Sequence, residues 1–93
     1  MYASIRQYRT RDNAEVAKRA REGFLPIIRE VGSVAAYYMV DAGDGNFFTV
    51  TVAEDEAGVE ESVSKAAGWV SENLADLIED GPTVSNGEVV AQS

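Results

Sequence analysis

Trp69 and Asn73 are the residues of this sequence best suited to chemistry on a small molecule. Spaced four apart, they share one side of a helix, one turn after the other. An indole wall and an amide donor suit a planar aromatic or quinone-like ligand. Tyr37 or Tyr38, on a strand-like run, and Arg6, on an earlier one, would complete such a pocket. Arg6 then holds an anionic group of the ligand; alternatively it pairs with an acid at a subunit interface. Trp69, the single tryptophan, equally reads as a packing residue at a core margin.

The missing residue types narrow the chemistry. The 93 residues include no histidine and no cysteine. That excludes Ser-His and Cys-His nucleophile pairs, His-ligated zinc or haem iron, Cys-based metal sites and disulfides. Asp41-x-x-Asp44-Gly45-Asn46 resembles part of a calcium loop, but Val52 stands where the bidentate Glu belongs, and the flanks read as strands. A hairpin turn explains it. Glu54, Asp55, Glu56, Glu60 and Glu61 read as helix capping and a solvated face. Gly43-Asp44-Gly45 joins two strands and opens no helix, so it is no phosphate loop. No metal and no cofactor are expected.

The elements that must position these residues are organised around VAAYYMVDAGDGNFFTVTVAED, from Val34 to Asp55. Two runs rich in β-branched and aromatic residues flank the cluster Ala42-Gly43-Asp44-Gly45-Asn46, which predicts a hairpin. A first strand is expected over Tyr2–Tyr8, alternating Tyr2/Ser4/Arg6/Tyr8 against Ala3/Ile5/Gln7. Asp12 or Asn13 caps a helix with an apolar stripe at Val16, Ala20, Phe24, Ile27 and Val31, kinked at Pro26 and closed at Gly32. Asp55 and Glu56 open a second helix with a stripe at Val59, Val63, Ala66, Val70, Leu74 and Leu77. Gly81-Pro82 stops it, and Thr83–Ala91 forms the last strand, disturbed at Asn86-Gly87.

With Asp41 facing Phe47, Val34, Ala36, Tyr38 and Val40 share a face with Phe48, Val50 and Val52. This plainly apolar face is expected under the helices. The opposite face, with Tyr37, Met39 and Phe47, is too apolar to stay wet and is expected to meet a second subunit.

The net charge of −8 is uneven: +3 over residues 1–31 and −11 over residues 32–93. This reads as solvated surface, or as neutralisation within the fold or across a dimer. The acidic balance argues against a nucleic-acid partner, which needs a basic face. No stretch approaches the ~20 apolar residues of a membrane span, and the N-terminus is too polar for a signal peptide. A cytoplasmic location is expected.

The length, the βαββαβ order, the expected dimer and the stretch VAAYYMVDAGDGNFFTVTVAEDEAG resemble small dimeric α/β-barrel proteins of the antibiotic biosynthesis monooxygenase type. The resemblance implies a single α+β domain over residues 1–93. It would be ferredoxin-like, a four-stranded antiparallel sheet with two helices on one face, paired into a dimeric α/β barrel. Members include cofactor-free monooxygenases that oxidise polycyclic phenols to quinones, and haem-degrading enzymes that hold iron through a histidine. The absence of histidine discards the second activity. An Asn and a Trp near the substrate are prominent in the monooxygenases, and Trp69 and Asn73 supply those types. The expected function is binding of a small aromatic ligand between helices and sheet. The alternatives are a cofactor-independent monooxygenase acting on a phenolic or polycyclic aromatic substrate with O2, and a subunit recruiting a protein through its acidic helix face.

Overall fold

Residues 1–93 are described by a computed structural model. Alternation along the first strand, β1 (Tyr2–Thr10), shows which side of the sheet the helices cover. Ser4, Arg6, Tyr8 and Thr10 are buried, while Ile5, Gln7 and Arg9 between them are exposed. Asp12 then caps α1 (Asn13–Gly23), accepting the Glu15 N–H at 3.1 Å. Asn13 has a different task. Its amide donates to Asp41 Oδ1 at 2.8 Å and to the Asn46 carbonyl at 2.9 Å, stitching the helix start to the hairpin tip.

The kink expected at Pro26 is a break. Helix α1 stops at Gly23, and a single turn, α2 (Leu25–Ile28), follows with Pro26 where no amide donor is required. Beyond the break Ile28, not Ile27, is the deeply buried residue, beside Phe24 and Val31. Gly32 lies past α2 and does not take the left-handed conformation of a C-terminal glycine.

Strands β2 (Val34–Gly43) and β3 (Asn46–Ala53) pair with Asp41 opposite Phe47, the expected register. The tip is tighter than the five-residue loop expected. Asp44 and Gly45 alone turn the chain, with φ of 51° and 78°, positive values that favour Gly and Asp. A pairing shift at Ala35 sets Val34 opposite Ala53, so Val34 packs with the core and not with Ala36.

Asp55 caps α3 (Glu56–Asn73) through the Gly58 N–H at 2.8 Å. The helix ends well before Gly81-Pro82. Leu74 to Leu77 form a tight turn, and β4 runs from Ile78 to Glu88, not from Thr83 to Ala91. Gly81-Pro82 sits inside this edge strand at a pairing shift opposite Gln7–Arg9, where a missing amide breaks no ladder bond. Asn86 and Gly87, expected to be irregular, pair normally with Ser4 and Ala3.

The sheet order is β2-β3-β1-β4, every neighbouring pair antiparallel, with α1–α3 on one face. This is a βαββαβ, ferredoxin-like α+β fold. Its two faces are exchanged relative to expectation. Tyr37, Met39, Phe47, Thr49 and Thr51 lie under the helices, whereas Tyr38, Val40, Phe48, Val50 and Val52 form the open side with Ile5. Close approach is one reason. Gly58 and Ser62 are buried on α3, and a Cβ added at Gly58 would lie 3.0 Å from that of Ala53. Where α3 begins, only small side chains fit between the layers, and Ala53 faces Gly58 there.

One ion pair joins the basic first third to the acidic remainder: Arg19 to Asp76 at 2.9 Å, near the end of α3. Arg19 also binds Glu15 at 3.2 Å. No helix is long and apolar enough to cross a membrane.

Candidate functional site

The interior between helices and sheet has aromatic walls. Phe24 stands 5.5 Å from Tyr37 and 5.6 Å from Trp69 between ring centroids, tilted to both. Tyr8, Met39, Phe47 and Leu74 line the same space. Trp69 is half-buried and fits because Gly23 lacks a side chain; a Cβ there would be 2.9 Å from indole Cζ2. The end of α1 thus makes room for the indole on α3.

Into this apolar lining β1 projects Arg6, only 2% exposed. Its Nε donates to Thr49 Oγ1 at 3.2 Å, while its Nη2 has no partner. No carboxylate pairs with it. Burying a cation costs on the order of several kcal/mol unless the site compensates it, so an idle guanidinium donor here is a costly feature. Burial pushes the Tyr8 and Tyr37 hydroxyls above their ordinary value, with the Arg6 charge pulling part of the way back. Both therefore stay protonated at neutral pH and can donate to an oxyanion, but cannot serve as bases.

Arg6, Tyr37 and Trp69, three of the residues the sequence singles out, come together here. Tyr38 does not: it lies on the open sheet face, 58% exposed, because it alternates with Tyr37. Asn73 stays outside as well. The helix ends there, and its exposed amide turns back to donate to the Trp69 carbonyl at 2.9 Å. Arg6, being under the helices, is not on the open face where a second subunit's acid would meet it. Tyr8 and Thr49 are members that the sequence reading passed over. The signal was Arg6-x-Tyr8 on one strand face, with Thr49 directly across from Arg6.

The space beside Trp69 is small, about 20 Å³, enough for roughly one water. A larger groove of about 360 Å³ runs between α3 and β4, walled by Val63, Ala67, Val70, Ser71, Ile78 and Val84. Arg6 and Tyr8 line both spaces. The acids are employed elsewhere. Asp41 accepts from Asn13 and the Gly43 N–H, which hold its carboxyl below the usual range, and Asp55 caps α3.

No family model and no curated protein matches the sequence. Solved structures do match the fold. A protein of unknown function from Nitrosomonas europaea superimposes with a TM-score of 0.84 at 21% identity, over 99% of this chain and 91% of that one. An antibiotic biosynthesis monooxygenase gives 0.75 at 18% identity, over 98% and 100%. A Streptomyces coelicolor monooxygenase solved in complex with nanaomycin D gives 0.73 at 16% identity, over 98% and 92%. At these identities the likeness is one of fold, and it agrees with the resemblance drawn from the hairpin-to-helix stretch. The chain has an antibiotic biosynthesis monooxygenase-like fold.

Proposed function

We propose that this chain binds a small aromatic ligand between its helices and its sheet. The observation that carries the reading is Arg6, a guanidinium buried in an otherwise apolar and aromatic interior with a terminal nitrogen that has no partner. A uniformly apolar core would pack more stably without Arg6, so its presence favours a site over plain packing. The test is Trp69 fluorescence, corrected for inner-filter absorption, during titration with hydroxylated polycyclic aromatics and quinones. Saturable quenching by some of them is expected. Flat titrations across the panel, with no heat of binding for the same compounds in calorimetry, would overturn the reading and leave Trp69 as a packing residue.

The second reading, cofactor-independent oxidation of a phenol, is favoured by the Arg6 Nη2 donor, because a bound phenolate is the electron-rich form that reacts with O2. The balance is phenol plus O2 giving quinone plus water. A ring carbon forms a bond to one oxygen atom, and its hydrogen and the phenolic hydrogen leave with the other. With no histidine in the chain, the phenol would lose its proton to solvent, helped by the Arg6 charge. Oxygen uptake with the compounds that quench Trp69 tests it.

The open face of Ile5, Tyr38, Val40, Phe48, Val50 and Val52 supports a homodimer built sheet to sheet, the dimeric α/β barrel of the resemblance. A cytoplasmic location fits this reading.

A further inference from the structure

We infer that the ligand sits in the groove between α3 and β4 and places an oxyanion on Arg6 and Tyr8. This rests on the proposed aromatic-binding function and deepens it by naming the seat and the ligand's charge. Three observations carry it.

Size comes first. The space beside Trp69 holds roughly one water and cannot take a ring, whereas the groove's volume of about 360 Å³ lies in the range of small-molecule sites. The groove exists because β4 is an edge strand that α3 does not cover. Val84, directly opposite Arg6 in the pairing, remains 42% exposed although it lies on the helix side.

Charge comes second. Arg6 is 2% exposed and lines this groove, and its Nη2, closed to water, has no partner in a chain otherwise rich in acids. Sixteen carboxylates are available, and none approaches it. A guanidinium kept clear of every internal anion is compensated when a ligand brings one.

Shape comes third. The groove's walls, Val63, Ala67, Val70, Ile78 and Val84, are apolar, so the body of the ligand is apolar and only its end is charged. Tyr8, protonated at neutral pH, offers a second donor at the same end. The ligand class is an aromatic frame ending in one oxyanion, which either a carboxylate or a phenolate supplies.

Calorimetric titration at neutral pH with 2-naphthoate, 2-naphthol and the neutral 2-naphthamide tests this, using wild type, Arg6→Met and Ala67→Trp. In wild type, naphthoate, or naphthol with release of its proton read from the dependence of the heat on buffer, is expected to bind at least tenfold more tightly than naphthamide, and whichever leads identifies the oxyanion. Arg6→Met removes that preference. Ala67→Trp fills the groove from an exposed helix position and weakens all three at least tenfold. Equal affinities in wild type, or binding unchanged by Ala67→Trp, overturn the inference. If naphthamide binds and quenches Trp69 while insensitive to Ala67→Trp, aromatic binding stands and the groove falls. If nothing binds, both readings fall. Arg6→Met is also expected to melt no lower than wild type, because it removes an uncompensated charge; a marked drop would make Arg6 structural and overturn its role.

Discussion

Arg6, Tyr8 and Tyr37 bring into the candidate site groups that a core would otherwise exclude. Each is polar at its tip, each is largely buried, and each faces the helices from the sheet. The two tyrosines set a condition on pH. Burial raises both hydroxyls above the ordinary value of about 10, so the folded state disfavours their ionised forms. A raised value means that the stabilisation is complete below the unfolded value and is lost as pH climbs through the folded one. Thermal unfolding followed from pH 8 to 12 should therefore show a steep decline above about 10. In a Tyr8→Phe, Tyr37→Phe double variant that decline should be shallower, since neither buried position can ionise. Parallel declines in the two proteins would mean that other groups dominate.

The elements show where the sequence was legible and where it was not. The hairpin register, the order of strands and helices, and both N-caps follow from local chemistry: turn residues, alternation, and acids ahead of apolar stripes. The sheet face did not. Counting apolar residues assigns Val40, Phe48 and Val50 to the helix side, but those positions face away, and Ser4, Thr49 and Thr51 are covered instead. Near Gly58 the distance between layers, to which hydrophobicity is blind, excludes large side chains. Gly58 was the local sign of it. A side chain there would press on Ser33 and on the Cβ of Ala53, which its backbone fixes. Gly58→Ala should accordingly destabilise the fold by about 1–3 kcal/mol despite the better helix propensity of Ala, as overpacking does. Urea denaturation measures it. A gain in stability would mean that α3 has slack over β3. Among candidate site residues, Trp69 is singled out by its rarity. Asn73 looked equivalent to Trp69 at helical spacing, and the end of α3 at that residue, which no spacing encodes, turned it to its own backbone.

At the scale of the molecule, helices on one face leave the other face of the sheet to be accounted for. Ile5, Tyr38 and Val40 are 45%, 58% and 45% exposed in the single chain, and half-buried Phe48, Val50 and Val52 continue the patch. Val50 is at its centre, directly paired with Ile5 on one side and Tyr38 on the other. β4 contributes only Thr83, Ser85 and Gly87 to this face, so the apolar area is confined to three strands and bordered by polar groups. An apolar centre with a polar margin is the anatomy of a subunit interface, and a two-fold axis lets one patch cover its own copy. The chain should then sediment at twice its 10.0 kDa mass at micromolar concentration. Val50→Glu should give the single-chain mass, because a two-fold axis through the patch would bring two unpaired carboxylates together in an apolar setting. In a free chain the same glutamate borders solvent, so circular dichroism should be unchanged and the helix–sheet interior, with Trp69 emission as its reporter, intact. Sedimentation of the wild type as a single chain would show that the patch stays open. A Val50→Glu protein that remained a dimer would show that the chains meet elsewhere.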